Sequence, residues 1–140
     1  MLICNFKILI VDDHPQARDL IRSILRHAGF NCSLADNGRV ALAKLKSEHF
    51  DLVICDWVMP DLKGIDVLRQ IRADEQLKGM PFVLLTAEAT KDKVHSAIEA
   101  GTTDYIIKPF NADTLIAKLR GIIEKIAPEL VTEIKRPDEV

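Results

Sequence analysis

The sequence predicts an α/β fold: a doubly wound, five-stranded parallel sheet with helices on both faces. Three observations carry that prediction. Short apolar runs alternate five times with longer segments whose apolar residues recur at helical spacing. The first, third and fourth runs are apolar almost without a break, as strands buried on both faces are. Strand–helix units in series close into a parallel sheet through right-handed crossovers, which leaves helices on both sides.

Each element has its own signal. Ile8-Leu9-Ile10-Val11 is the first strand, stopped by Asp12-Asp13-His14-Pro15. Pro15 suits the first position of a helix, which Leu20, Ile21, Ile24, Leu25 and Ala28 stripe as far as Gly29. A weaker strand lies near Cys32-Ser33-Leu34-Ala35, and its mixed character suits an edge. Asn37-Gly38 breaks it, and Ala41, Leu42 and Leu45 mark the second helix. Leu52-Val53-Ile54-Cys55 is the third strand, with Ile65, Leu68 and Ile71 on the helix after it. Pro81 precedes the fourth strand, Phe82 to Leu85, which stops at Thr86. Val94, Ala97 and Ile98 stripe a fourth helix that ends at Gly101. Tyr105-Ile106-Ile107 is the fifth strand, closed by Lys108-Pro109. Asn111 is placed to cap a last helix striped by Leu115, Leu119, Ile122, Ile123 and Ile126. From about Pro128 the chain turns polar, which predicts a frayed tail or the start of a linker over 128–140.

Bulk properties narrow the function. A chain of 140 residues, 48% hydrophobic and 29% charged, has the composition of one globular domain with a single core. A net charge of −2 gives no general attraction to nucleic acid or to an anionic membrane. The apolar stretch from Ile8 to Val11 is too short for a signal sequence or a span. Cys4, Cys32 and Cys55 are odd in number and form no C-x-x-C, so packed, reduced thiols in a cytoplasmic protein are expected.

In a parallel sheet every strand ends on the same side, so Asp12-Asp13, Asp56, Thr86 and Lys108 all fall on one rim. Singly, each has an ordinary explanation. Asp13 could cap the first helix, Thr86 the fourth, Asp56 could begin a turn and Lys108 could be solvated. Together, three crowded carboxylates repel unless something positive intervenes. A hard divalent cation answers that need, and oxygen ligands with water positions left open suit Mg²⁺. Three carboxylates, one Mg²⁺ and one ammonium balance in formal charge. A phosphoryl group held by the metal and Lys108 would then lie open to in-line attack by Asp56, with the Thr86 hydroxyl as a donor.

The set Asp12-Asp13, Asp56 with Met59-Pro60, Thr86-Ala87 and Lys108-Pro109-Phe110 resembles the receiver domain of two-component response regulators. Asp56-Trp57-Val58-Met59-Pro60 and Thr86-Ala87-Glu88-Ala89 are most similar to the CheY-like, single-domain chemotaxis type. The likeness covers about residues 6 to 126. It implies a flavodoxin-like strand order of 2-1-3-4-5, an order taken from the family alone, and a receiver domain over 6–127.

The resemblance further implies that Asp13, Asp56 and the backbone carbonyl of Val58 bind Mg²⁺, with Asp12 acting through water. Asp56 would be the phosphoacceptor, taking its phosphoryl group from a sensor histidine kinase or a histidine phosphotransfer protein. Lys108 would pair with the phosphate, and Thr86 would move toward it. Tyr105 would turn inward, changing the surface of helix four, strand five and helix five, where a protein target binds. Lys108-Pro109 would be cis. The chain would be a monomer or a weak phosphorylation-dependent dimer, with Asp104 and Lys118 pairing across the interface. It would sit in the cytoplasm with no direct nucleic-acid or membrane role.

This chain also departs from the pattern. Val58 replaces a polar residue beside the path of the hydrolytic water, and His14 replaces an aromatic next to the acid pair, while Glu88 keeps the family's tuning choice. Both departures bear on phosphoryl lifetime. An alternative within the family is a receiver cut from a longer regulator or hybrid kinase. An aspartate-nucleophile phosphatase requires Asp-x-Asp on strand one, which adjacent Asp12-Asp13 does not supply. A flavodoxin-like electron carrier fares worse, since two acids would repel the flavin phosphate.

Overall fold

The computed structural model describes residues 5–138, so Cys4, Glu139 and Val140 lie outside it. Its elements run β1 (Lys7–Val11), α1 (Pro15–His27), β2 (Asn31–Ala35), α2 (Gly38–Ser47), β3 (Leu52–Asp56), α3 (Gly64–Ala73), β4 (Phe82–Thr86), α4 (Lys91–Ala100), β5 (Asp104–Ile107) and α5 (Ala112–Ile126). A short 3-10 helix, Pro128–Glu133, follows. The five strands are parallel in the order β2-β1-β3-β4-β5, with β2 at one edge as its mixed composition suggests.

Side-chain alternation along the strands builds two cores. On one face Ile8, Ile10, Leu52 and Ile54 meet Ile21 and Leu25 of α1 and Leu119 and Ile123 of α5. On the other, Leu9, Val53, Cys55, Phe82 and Leu84 meet Leu68 and Ile71 of α3. Every residue of β3 and β4 is buried. Each such Leu or Ile contributes about 1.5–3 kcal/mol, so the middle of the sheet is the rigid base on which the rim is carried.

Caps fix where the helices start and stop. Pro15 opens α1, and Gly29 with φ 106° ends its last turn. The side chains of Asn37, Thr90 and Asn111 accept hydrogen bonds from Val40, Lys93 and Thr114 N–H at the starts of α2, α4 and α5. Neither Asp13 nor Thr86 caps a helix: His14 holds the first position, without a side-chain bond, and Thr90 holds the fourth.

Three expectations need correction. Ile98, assigned to the buried stripe of α4, is 64% exposed, and Ala97 alone of that helix is fully buried. Leu20 and Ile126 are likewise exposed on α1 and α5. The predicted frayed tail is instead anchored on the core from Pro128 to Lys135. Leu130 is 0% exposed and Ile134 3%, both inside the α1/α5 core. Lys135 N–H donates to Ala28 O at 3.1 Å, and Arg120 Nη1 donates to the carbonyls of Val131 and Ile134, both at 3.3 Å. Hydropathy missed this because only Leu130, Val131 and Ile134 anchor an otherwise polar segment.

Cys32 and Cys55 are free thiols. Burial pushes the Cys32 thiol up to about 11 and raises that of Cys55 as well, so both are poor nucleophiles. No helix of the described residues is long and apolar enough to cross a membrane.

Candidate functional site

The rim at the strand C-termini collects the predicted residues. Asp12 N–H extends the ladder to Ala35 O at 3.1 Å, which fixes the end of β1. The fully buried Asp12 carboxylate then accepts the His14 backbone N–H at 2.9 Å, turning the chain into α1. From α1, Arg18 Nη1 donates to Asp12 O at 2.9 Å. Asp56 ends β3, where Trp57 N–H donates to Leu85 O at 2.8 Å. A close approach supports it from below: a Cβ on Gly64 would lie 2.2 Å from the Asp56 carbonyl oxygen, so only glycine fits there. Gly64 N–H closes the loop onto Trp57 O at 2.9 Å.

Lys108 arrives from β5, its N–H bonded to Thr86 O at 2.7 Å and its peptide to Pro109 cis. Its ammonium stands 3.1 Å from Asp56 Oδ1 and 3.5 Å from Asp12 Oδ2. Ligand atoms of Asp12, Asp13, His14 and Asp56 all lie within 4.8 Å of one another. One lysine therefore faces three carboxylates. Burial raises the carboxyl pKa of Asp56 above its ordinary value, Lys108 opposes the shift, and Asp12 and Asp13 add to it.

The donor set fits a hard divalent cation. Asp13 Oδ1 is buried yet finds no hydrogen-bond partner among the described residues. An unpartnered carboxylate oxygen beside two further carboxylates is a position for a metal rather than a satisfied structural group. The carbonyl of Val58 accepts no backbone hydrogen bond among the described residues, and its side chain is 65% exposed at the mouth.

Thr86 is buried and locally engaged: Oγ1 donates to Glu88 O at 2.8 Å and accepts Glu88 N–H at 3.2 Å. The Glu88 side chain is exposed. Tyr105 is half-buried against the second core, with Lys118 Nζ 5.5 Å above its ring. Lys118 also pairs with Asp104 at 3.1 Å within the same chain, so both partners of the suggested dimer contact are already engaged with each other.

Sequence reasoning did not pick out Arg18 or Gly64; it set His14 next to the acid pair without fixing where its ring lies. Gly64 follows the Met59-Pro60 loop, where a glycine before a helix is a recognisable signal. Arg18 lies four residues beyond His14, one helical turn on, which puts it back over the rim.

The response regulator receiver domain family matches residues 8–120. The chain belongs to that family. Among curated relatives, the receiver is 48% identical over 123 residues to chemotaxis protein CheY-3 of Vibrio cholerae, covering 87% of this chain and 95% of that one. Among solved structures it is similar to V. cholerae CheY4, with a TM-score of 0.80 and 34% identity over 84% of this chain and 98% of the other. It is also similar to the response regulator TrrA of Thermotoga maritima, solved in complex with Mg²⁺-BeF, with a TM-score of 0.75 and 35% identity over 84% and 98% of the two chains. The strand order taken from the resemblance is the order observed. These likenesses place the chain as a CheY-like receiver of two-component signalling.

Proposed function

We propose that Asp56 is the phosphoacceptor of this receiver and that the pocket reports its state to a protein target. One carboxylate oxygen of Asp56 forms the new O–P bond as the N–P bond of a donor phosphohistidine breaks, and the electron pair returns to the imidazole nitrogen. Asp12, Asp13, Asp56 and the Val58 carbonyl would hold Mg²⁺. That ion supplies charge neutralisation and orientation for the phosphoryl oxygens. Lys108 then exchanges its contact with the carboxylate for one with a phosphoryl oxygen.

Reporting falls to Thr86 and Tyr105. The Thr86 hydroxyl leaves Glu88 O and donates to the phosphoryl group, and Tyr105 turns into the space it vacates. The surface of α4, β5 and α5 changes with them and binds the target. Val58 and Glu88 at the mouth set how easily water reaches the acyl phosphate, and so its lifetime. The receiver would catalyse its own phosphorylation from small donors and its own dephosphorylation. Its donors are a sensor histidine kinase or a histidine phosphotransfer protein, in the cytoplasm. We assign the receiver to 6–127, with the packed segment after Pro128 attached to it.

The observation that carries this reading is the Lys108 ammonium 3.1 Å from a buried Asp56 carboxylate, in one cluster with Asp13, whose Oδ1 has no hydrogen-bond partner among the described residues. Incubation with Mg²⁺ and a small phosphodonor adds one phosphoryl mass, and Asp56→Asn abolishes it. Undiminished labelling of that variant removes Asp56 from the role.

A further inference from the structure

We propose that His14 is a nitrogen ligand to the cation of this pocket, and that it shifts the site from Mg²⁺ toward borderline transition ions such as Ni²⁺ or Co²⁺. The inference rests on the acid pocket taking a divalent cation, as the proposed function does, but needs no phosphoryl chemistry.

The geometry fits ligands that share one ion. His14 Nδ1 stands 3.1 Å from Asp13 Oδ1 and 3.4 Å from Asp12 Oδ1. Ligands about 2.0–2.1 Å from one ion are separated by roughly 3.0 Å along an octahedral edge and roughly 3.4 Å along a tetrahedral one. The shorter approach is not a hydrogen bond, because Asp13 Oδ1 has no hydrogen-bond partner among the described residues. The longer one meets an oxygen that already accepts the His14 backbone N–H at 2.9 Å.

The backbone holds His14 in place while leaving its ring able to adjust. It sits in an extended conformation (φ −93°, ψ 116°) just before Pro15, with its N–H tied to Asp12. Its side chain is 71% exposed, so the imidazole can turn toward an ion without disturbing the core.

Chemistry then sets the preference. Mg²⁺ takes oxygen ligands and dehydrates reluctantly. Imidazole suits nickel, zinc, copper and iron, and affinity for such N/O sites rises from manganese through cobalt to nickel. One imidazole among three carboxylates therefore strengthens binding of Ni²⁺ far more than of Mg²⁺. Two other histidines each approach a single carboxylate, His49 with Asp51 at 3.0 Å and His95 with Glu99 at 3.2 Å, and they are the competing explanation for any nickel uptake.

The test is calorimetric titration of the full chain with Ni²⁺ and with Mg²⁺. It compares the native protein, His14→Phe, and a His49→Gln/His95→Gln double variant. The expected result is a tenfold or greater loss of Ni²⁺ affinity in His14→Phe with Mg²⁺ affinity changed less than threefold. Mg²⁺ competes with Ni²⁺, and the double variant matches the native protein. Pulsed electron paramagnetic resonance of bound Mn²⁺ shows a nitrogen coupling that His14→Phe removes. The proposal is overturned if both ions lose affinity together, if only the double variant loses Ni²⁺, or if no nitrogen coupling is seen. His14-dependent Ni²⁺ binding in a chain that no phosphodonor labels at Asp56 would remove the phosphoacceptor reading and keep this one. Labelling without such binding would do the reverse.

Discussion

Arg72 on α3 holds the far end of α4: its Nε donates to Gly101 O at 2.9 Å. Its Nη1 reaches Lys78 O at 3.0 Å and Met80 O at 2.7 Å in the loop before β4. One guanidinium thus satisfies three carbonyls at the end opposite the acid pocket. At the other end Lys93 Nζ lies 5.1 Å above the ring of Trp57, which follows Asp56 directly in the chain. A charge-assisted hydrogen bond contributes more than a half-exposed cation–π contact, so α4 is tied more firmly at Gly101 than at Lys93.

Arg72→Met removes that tie. Stability should fall by about 2–4 kcal/mol, from several charge-assisted bonds lost together. Amide exchange should quicken first around Gly101 to Thr103, with uptake of a phosphoryl group at Asp56 retained. Protection unchanged in that segment would show that the helix end is held by something else.

Gly64→Ala tests the support beneath Asp56. The added Cβ would lie 2.2 Å from the Asp56 carbonyl oxygen and 3.1 Å from Trp57 Cα, both backbone atoms with little room to yield. A cost of roughly 1–3 kcal/mol is expected in urea unfolding. Mg²⁺ affinity should fall as well, because the carboxylate shifts with its backbone. Normal Mg²⁺ affinity in a destabilised variant would separate the loop from the site.

The raised pKa of Asp56 makes the bare receiver sensitive to pH. Its ordinary value is 3.8 and burial lifts it in the folded chain, so folding favours the protonated carboxyl. Without divalent ions, stability is lost as pH rises from that ordinary value through the raised one. Asp56→Asn is free of the penalty. Its melting temperature should exceed that of the native chain at pH 7.5 and converge with it as the pH falls toward 3.8. A gain of about 1 kcal/mol corresponds to roughly 2–4 °C for a domain of this size. Mg²⁺ should narrow the difference by stabilising the native carboxylate alone. A pH-independent difference would mean the carboxyl is not strained by burial.

Leu130→Ala measures how far the C-terminal segment belongs to the core. A fully buried leucine cut to alanine costs about 2–5 kcal/mol. A loss below about 0.5 kcal/mol in urea unfolding would return the segment to the frayed state that its composition suggests.

The runs at 8–11, 52–55 and 82–85 announced themselves as strands because burial on both faces leaves no polar position in them. The rim was legible for a topological reason: parallel strands end together, so an acid after the first run and another after the third must approach. Helical spacing was less informative. It puts Val94, Ala97 and Ile98 on one side of α4 but does not say that Ala97 alone is fully buried. Leu130 and Ile134 were illegible because the cluster they join is built largely from distant parts of the chain, Phe6, Leu25 and Phe30 among them. His14 was legible as a neighbour of the acid pair, but nothing in its one-dimensional neighbourhood shows where Nδ1 points.

The return of Lys135 to Ala28 sets a limit on how this receiver can be recombined with others. A chimera spliced at the end of α5 would carry an open notch where a leucine and an isoleucine belong. A seam placed after residue 135 keeps that notch filled, and whatever is appended there sets out from beside the end of α1 instead of from the tip of α5.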